Sequence, residues 1–351
     1  MRIVLSMMTG MRSSSLATAA VVALVLAACG SDDTAEPAAE SPFVVASTSI
    51  WADITRNVAC GGLAEVDTIV PLGGDPHSFE PSLQDRETME GADLIVANGL
   101  FLEEGLADTI DAVAGRGVPV VYAADAVDVL TGEEGHDDEH EGDGEHSDEE
   151  HSDDEHEGDE EHADDEHSDG DDHDHEGGDP HVWFDPNRVI QALPTIADGL
   201  ADVGVDADAL DTCVADYTDR LTQLDSTIDD TVSALPVEQR MLVTNHDSLG
   251  YFADRYDFEV VGTVIPSSSS LAEANPADLE ALADTIERTG VPAIFTETQH
   301  SSADAEALAD RVGATIVELR TGTLDEPGTP GGDYIGWLDG TATTVVEALA
   351  G

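Results

Sequence analysis

The sequence predicts an α/β fold of two lobes, each a mainly parallel sheet wrapped by helices, joined by one long rigid helix. Short apolar runs alternate with helical patterns on both sides of a polar tract, which is typical of parallel sheets covered by helices. Between the two halves, apolar residues recur three or four positions apart from Leu210 to Leu235, and Pro236 ends the run. One isolated segment of this kind favours a linking helix, about 40 Å long, over a coiled-coil seam.

The apolar runs and helix-start signals place the elements of each lobe. The N-terminal lobe is predicted to span 43–205, the linking helix 206–236 and the C-terminal lobe 237–351. Strands are predicted at 43–47, 66–70, 94–97, 118–122, 241–244, 259–264, 293–296 and 315–319. Helices are predicted to begin near Ile50, Ser82, Phe101, Ser248, Pro276, Ser302 and Thr341.

The N-terminal residues indicate export. Arg2 and Arg12 precede a short run of apolar and small residues, so 1–28 is predicted to be a signal peptide. The run ends Leu-Ala-Ala before Cys29, which resembles a bacterial lipobox and favours lipidation of Cys29 over ordinary signal cleavage. Residues 29–42 are predicted to be a flexible tether. We therefore expect an extracytoplasmic protein, anchored to the cell membrane by lipid.

A tract rich in histidine interrupts the N-terminal lobe. Between Glu133 and Asp179 the sequence carries nine histidines and 27 acidic residues, without a basic or large apolar side chain. This composition predicts a disordered loop over 131–179. A solvated acidic linker would explain the acids but not histidines that recur every five or six residues from His146 to His173. Imidazole and carboxylate bind Zn²⁺, so we expect weak metal binding along this tract.

Charge and cysteine usage exclude several function classes. The formal net charge of -65 makes nucleic-acid binding improbable, and all 12 basic residues are arginine, which excludes a lysine nucleophile. Apart from Cys29 the sequence has only Cys60 and Cys213. An even pair in an exported chain favours a disulfide over two free thiols.

Three histidines outside the tract are candidate metal ligands. His77 and His246 follow predicted strands, and His181 stands in a second Asp-Pro-His triplet like the one that contains His77. In open α/β sheets ligands collect at the carboxyl ends of strands, so the three imidazoles are expected to meet in the cleft between the lobes. A lone histidine is more often structural, but three at comparable positions indicate a shared metal.

Four motifs resemble one known family. PLGGDPHSFEPS at 71–82, DPHVWFDP at 179–186, NHDSLGYFA at 245–253 and IFTETQ at 294–299 resemble the zinc- and manganese-binding lipoproteins of bacterial ABC importers, the ZnuA-type family. The resemblance runs from about residue 43 to the C-terminus. It implies two α/β lobes bridged by one long helix, with the metal between them. It also implies a monomeric solute-binding protein, not an enzyme, that delivers Zn²⁺ to an ABC permease.

The resemblance implies which residues bind the metal. His77, His181 and His246 match the family's three histidine ligands, and three imidazoles suit zinc better than manganese. The late loop of the relatives carries a carboxylate where this sequence has Gly322. Glu297 is therefore the first candidate for the fourth ligand, with a bound water as the alternative. Glu80 and Asp247 are expected to orient the imidazoles, and His300 to lie on the surface.

Two other functions remain open from the sequence. Three histidines and a water also describe a hydrolytic zinc site, although no base motif such as H-E-x-x-H is present in the sequence. A surface adhesin or passive metal buffer is the other alternative. Turnover assays would identify an enzyme, and growth in chelated medium would separate a transporter from a buffer.

Overall fold

A computed structural model describes residues 41–130, 178–299 and 302–351. The predicted signal peptide, Cys29, nearly all of the tether, the histidines of the tract and His300 lie outside the described residues. The described residues from Ser41 onward belong to one compact unit. In these parts of the chain, no helix is both long enough and apolar enough to cross a membrane.

The first sheet forms the centre of the N-terminal lobe. Its four parallel strands have the order β2-β1-β3-β4. Val44 on the central strand β1 lies opposite both Val66 and Leu94. The apolar strands β1 and β3 are buried on both faces, whereas the edge strand β2 alternates between exposed and half-buried residues. The strands are β1 (Phe43–Ala46), β2 (Glu65–Thr68), β3 (Leu94–Ala97) and β4 (Val120–Tyr122).

Four helices cover the two faces of this sheet. They are α1 (Ser49–Val58), α2 (Leu83–Glu90), α3 (Ala107–Ala114) and α4 (Pro186–Asp202). The side chain of Thr48 caps α1, and Ser82 forms a capping box with Asp85 at the start of α2. The predicted helix start near Phe101 is wrong. Leu100 and Phe101 have positive φ angles of 52° and 60°, which a right-handed helix cannot contain, so α3 begins only at Ala107.

The second sheet repeats this arrangement in the C-terminal lobe. Its four parallel strands have the order β6-β5-β7-β8. The strands are β5 (Met241–His246), β6 (Glu259–Ile265), β7 (Ala293–Glu297) and β8 (Thr315–Leu319). The helices that follow them are α6 (Gly250–Tyr256), α7 (Pro276–Thr289), α8 (Ala303–Val312) and α9 (Tyr334–Ala350). Helix α9 starts before the predicted Thr341, because the side chain of Asp333 accepts a hydrogen bond from Gly336 N and caps the helix there.

One long helix connects the two sheets. Helix α5 (Ala207–Val232) has 26 residues, as the apolar spacing predicts, and Asp206 caps its first turn. Its apolar side packs against α1 and α4 of the N-terminal lobe and against α9 from the end of the chain. Cys213 on α5 forms a disulfide with Cys60, which lies just after α1, with 5.6 Å between the Cα atoms. The long helix is thus covalently tied to the N-terminal lobe.

Candidate metal site

The three candidate histidines come from loops and a strand end at the carboxyl ends of the two sheets. His77 lies in the loop after β2, His181 lies between β4 and α4, and His246 is the last residue of β5. All three are buried, with 2 to 3% of each residue exposed. Parallel strands present their carboxyl ends at one edge of a sheet, which is why side chains distant in sequence meet here.

The Nε2 atoms of the three imidazoles converge. Nε2 of His181 lies 3.4 Å from Nε2 of His77 and 3.2 Å from Nε2 of His246. In a tetrahedral site with Zn–N bonds of 2.0 to 2.1 Å, neighbouring nitrogens are about 3.3 Å apart. The described residues contain one group of histidine, cysteine or acidic side chains close enough to share a metal ion, and it is this one. The spacing of the nitrogens therefore suits a small tetrahedral cation.

A carboxylate lies near the outer nitrogen of each imidazole. Nδ1 of His181 lies 2.7 Å from Asp179, Nδ1 of His246 lies 2.9 Å from Glu297, and Nδ1 of His77 lies 3.6 Å from Glu104. A carboxylate at Nδ1 favours the tautomer with the proton on that nitrogen, in which Nε2 carries a lone pair and no proton. Three lone pairs that face each other repel unless a cation lies between them.

His77 is kept in its neutral, metal-binding form. Burial, together with the smaller effects of the neighbouring His181 and His246, lowers the pKa of His77 to about 3, against opposing effects of Asp75 and Glu297. A neutral imidazole is the form that coordinates metal ions. At neutral pH this ring therefore offers its nitrogen without first losing a proton.

The cavity at the three nitrogens is small and closely walled. Its volume is about 10 Å³, room for one ion or one water molecule. Trp183 forms one wall: its ring centroid lies 5.4 Å from that of His181, and its Nε1 donates a hydrogen bond to Thr321 O. Gly322 forms another, and a Cβ atom at this position would lie 2.9 Å from Cδ of Pro76. A side chain at position 322 could therefore not enter the site unless Pro76 moved.

Glu297, the predicted fourth ligand, lines the cavity but is turned toward protein groups. Its Oε2 lies 2.9 Å from Nδ1 of His246, and its Oε1 accepts a hydrogen bond of 3.1 Å from the hydroxyl of Ser248. The described geometry thus places its carboxylate beside the outer nitrogen of His246. The residues expected to orient the imidazoles are not those found at the Nδ1 atoms: Glu80 is exposed, and Asp247 is half-buried.

The Asp-Pro-His triplets have a structural explanation that sequence reasoning missed. In both triplets the aspartate Oδ1 accepts a hydrogen bond from the backbone N–H of the histidine, at 3.1 Å in Asp75–His77 and 2.9 Å in Asp179–His181. This is an Asx turn, and it fixes the histidine backbone two residues on. The repetition of the triplet in the sequence was the signal from which the contact of each aspartate with its histidine could have been predicted. The predicted disordered loop includes Asp179, but this residue lies beside the ring of His181.

The two ends of the described chain that flank the tract meet at this site. Asp179 N donates to Leu130 O at 2.9 Å. The hydroxyl of Tyr251, on α6 of the C-terminal lobe, accepts from Leu130 N and donates to Asp179 O, at 3.1 and 2.7 Å. The described residues on the two sides of the tract are therefore in contact, at a point two residues from His181.

Comparison with known proteins agrees with this geometry. A family model described as "ZnuA: Zinc-uptake complex component A periplasmic" matches residues 44–348. The chain is 30% identical to the zinc-binding protein TroA of Treponema pallidum over 92% of this chain and 93% of that protein. It is 28% identical to the manganese-binding lipoprotein MntA of Halalkalibacterium halodurans over 94% of this chain and 96% of that protein.

Solved structures show the same fold. The periplasmic zinc-binding protein TroA from Treponema pallidum superposes with a TM-score of 0.71 and 26% identity, and the match covers 88% of this chain and 99% of that one. A manganese-bound periplasmic metal-binding protein from Candidatus Liberibacter asiaticus superposes with a TM-score of 0.68 over the same shares of the two chains. At 20% identity this second likeness concerns the fold alone.

Proposed function

Because the chain belongs to the family of zinc-uptake complex component A periplasmic proteins, we propose that it captures Zn²⁺ outside the cytoplasm and delivers it to a membrane permease. The chain is a metal-binding substrate-binding protein of an ABC importer, and its family is one of solute-binding proteins and not of enzymes. The ion is the cargo and not a catalytic cofactor. His77, His181 and His246 are the proposed ligands.

The observation that carries the choice of zinc is the convergence of three imidazole nitrogens, with Nε2 of His181 3.4 Å from that of His77 and 3.2 Å from that of His246. Imidazole suits borderline ions such as Zn²⁺, whereas Mn²⁺ prefers carboxylate, carbonyl and water oxygens. The carboxylates here lie at the outer Nδ1 atoms, and the late loop offers Gly322 against Pro76. The relatives' names divide between zinc and manganese and therefore do not decide which metal is bound. The assignment to zinc rests on the donor atoms of this chain.

We infer that water, rather than Glu297, completes the tetrahedron. The Glu297 carboxylate is engaged by His246 Nδ1 and the Ser248 hydroxyl, and turning it toward the ion would break both contacts. In this arrangement Glu297 orients His246, as Asp179 orients His181.

The position of the residues that flank the tract supports a role of the tract in collecting zinc. Its two ends are held together at Leu130 and Asp179, beside His181. Ions bound weakly by its histidines would be concentrated near the tight site. We infer membrane anchoring through Cys29 from the lipobox-like sequence and from relatives that are named as lipoproteins. An anchor would keep the protein near its permease.

A competition titration tests the choice of metal. The mature protein is titrated with Zn²⁺ and, separately, Mn²⁺ in the presence of a chelator that outcompetes weak sites, so that the tight equivalent alone is measured. We expect one tight equivalent of Zn²⁺ and a clearly weaker affinity for Mn²⁺. Equal or tighter binding of Mn²⁺ would contradict the zinc assignment and leave the metal-importer assignment in place.

A further inference from the structure

We propose that Ser269 and Ser270, in the loop after β6, are positioning residues that latch the two lobes together through His77 and slow the release of the bound metal. The hydroxyl of Ser269 donates to Glu104, and that of Ser270 donates to Asp75 at 3.0 Å. The serines belong to the C-terminal lobe and both carboxylates to the N-terminal lobe. The proposal rests on the metal-binding function proposed above.

Both carboxylates also contact His77. Oδ1 of Asp75 accepts from the backbone N–H of His77 at 3.1 Å, while Oδ2 accepts from Ser270. Oε1 of Glu104 lies 3.6 Å from Nδ1 of His77, and the same oxygen accepts from Ser269. The serine pair thus reaches this histidine from two sides, through its backbone and through its ring.

The loops that carry these carboxylates are closely fitted, so a displacement at the serines is transmitted. Gly105 N donates to His77 O at 3.1 Å, and a Cβ atom at Gly105 would lie 2.4 Å from Phe79 O. Glu104 is therefore fixed against the His77 loop by backbone contacts. Asp75 is fixed in turn, because its Oδ2 also accepts from the backbone N–H of Ser78 at 3.2 Å.

The loop that carries Ser269 and Ser270 is hydrogen-bonded, where it leaves β6, to Asp247, the residue after the proposed ligand His246. His246 lies opposite Ile265 in the pairing of β5 with β6, and Asp247 N donates to Ser267 O at 3.0 Å. The loop therefore runs from beside His246 in one lobe to the carboxylates of His77 in the other. For the lobes to separate, and for His77 to leave the ion, the two serine hydrogen bonds must break.

The carboxylates at the other two rings, like Glu104 at His77, come from the same lobe as their histidine, but they are not the acceptors of the two serine hydroxyls. Asp179 lies two residues before His181, and Glu297 ends β7, in the same sheet as His246. Loss of the serine hydroxyls should therefore act on His77 and leave the contacts of the other two rings in place. The expected consequence is faster dissociation of the ion rather than a smaller number of tight sites.

The test is the rate of zinc dissociation from the mature, full-length chain. Zinc-loaded protein is mixed rapidly with an excess of chelator, and the slow phase from the tight site is followed. Two hydrogen bonds to charged groups are lost in the double variant Ser269→Ala with Ser270→Ala, so we expect dissociation about tenfold faster or more. Ser268→Ala, in the same loop, is the matched control and should dissociate like the wild type.

Two further measurements separate positioning from a merely structural role. The double variant Ser269→Thr with Ser270→Thr keeps both hydroxyls and should restore slow dissociation. With Co²⁺ in place of Zn²⁺, the visible absorption of the ion reports its ligand geometry, and we expect this absorption to change in the alanine variant. The melting temperature of the metal-free protein should stay the same.

Wild-type dissociation in the alanine variant, or a loss of the tight equivalent with a lowered melting temperature, would overturn the latch. Absence of a tight equivalent in the wild type would instead overturn the proposed function.

Discussion

Asp179 Oδ1 accepts two hydrogen bonds from one residue, His181: the backbone N–H at 2.9 Å and the ring Nδ1–H at 2.7 Å. One oxygen atom therefore fixes both the backbone and the ring orientation of a proposed ligand. Asp75 makes the first of these contacts with His77, whereas a different residue, Glu104, lies 3.6 Å from that ring nitrogen. The two Asp-Pro-His triplets share a turn and differ in what holds the imidazole.

Removal of any one of the three imidazoles should weaken zinc binding. Loss of an outer partner alone typically costs about 10 to 100-fold in affinity, so loss of a ligand should cost at least that much. We expect this for His77→Ala, His181→Ala and His246→Ala, measured by chelator competition at neutral pH. His300→Ala should keep wild-type affinity. If all three site variants bind zinc as tightly as the wild type, the cleft is not the binding site.

Replacing the carboxylates at the outer nitrogens distinguishes orientation from coordination. If Glu297 orients His246, then Glu297→Gln and Asp179→Asn should weaken zinc binding to a similar extent, about 10 to 100-fold, because each removes one charged partner of an imidazole. The number of tight equivalents should stay at one. A loss in Glu297→Gln as large as in His246→Ala would instead identify Glu297 as a ligand.

Deletion of the tract should leave the tight site intact. Because Leu130 and Asp179 are hydrogen-bonded to each other and to Tyr251, a short glycine-serine linker in place of residues 131–177 can join the two ends. Calorimetric titration should then show the loss of several weak zinc equivalents and the retention of one tight equivalent. A deletion extended through Asp179 removes the partner of His181 and should weaken the tight equivalent as well. Loss of the tight equivalent in the shorter deletion, with the protein still folded, would place a primary ligand in the tract.

The disulfide should contribute to stability rather than to affinity. Cys60 and Cys213 are 153 residues apart in sequence, so their bond constrains the unfolded chain strongly. The double variant Cys60→Ser with Cys213→Ser should lower the free energy of unfolding by about 2 to 5 kcal/mol, as measured by urea denaturation. Its tight zinc affinity should be unchanged, because neither sulfur lies at the site. A reductant should lower the stability of the wild type to that of the variant and leave the variant as it was; an unaltered wild type would contradict the bond.

The strands and the long helix were predictable because their physical signals are local. Apolar β-branched runs marked every strand to within a few residues, and the spacing of apolar residues before Pro236 marked α5. Helix α4 carries an equally local signal that the prediction overlooked: Asp185 caps it and Pro186 occupies its first turn. The start of α3 was not predictable in this way. Glu103 accepts from the backbone N–H groups of Asn98 and Gly99 and stabilises a left-handed turn where the pattern suggested a helix.

The three candidate ligands were identified from the sequence, but their environment was not. Asp179 lies two residues before His181 in the sequence, and its contact with this histidine could have been inferred from the repeated triplet. Glu104 and the serines of the β6 loop approach His77 only when the chain is folded, and Glu297 meets His246 across neighbouring strands. Contacts of this kind depend on strand order and loop path, which the local pattern of residues does not specify.

The position of Trp183 makes intrinsic tryptophan fluorescence a reporter of metal binding. The chain has three tryptophans, and all are buried. The Trp183 ring packs edge-on against the ring of His181, whereas the Trp51 and Trp337 indoles donate to Asn98 and to Arg320 O. An ion that binds His181 alters the electric field at the neighbouring indole and, if paramagnetic, quenches its emission. Loading and unloading of the site can therefore be followed through intrinsic fluorescence, with Trp183→Phe as the silent reference, in a protein that carries no label.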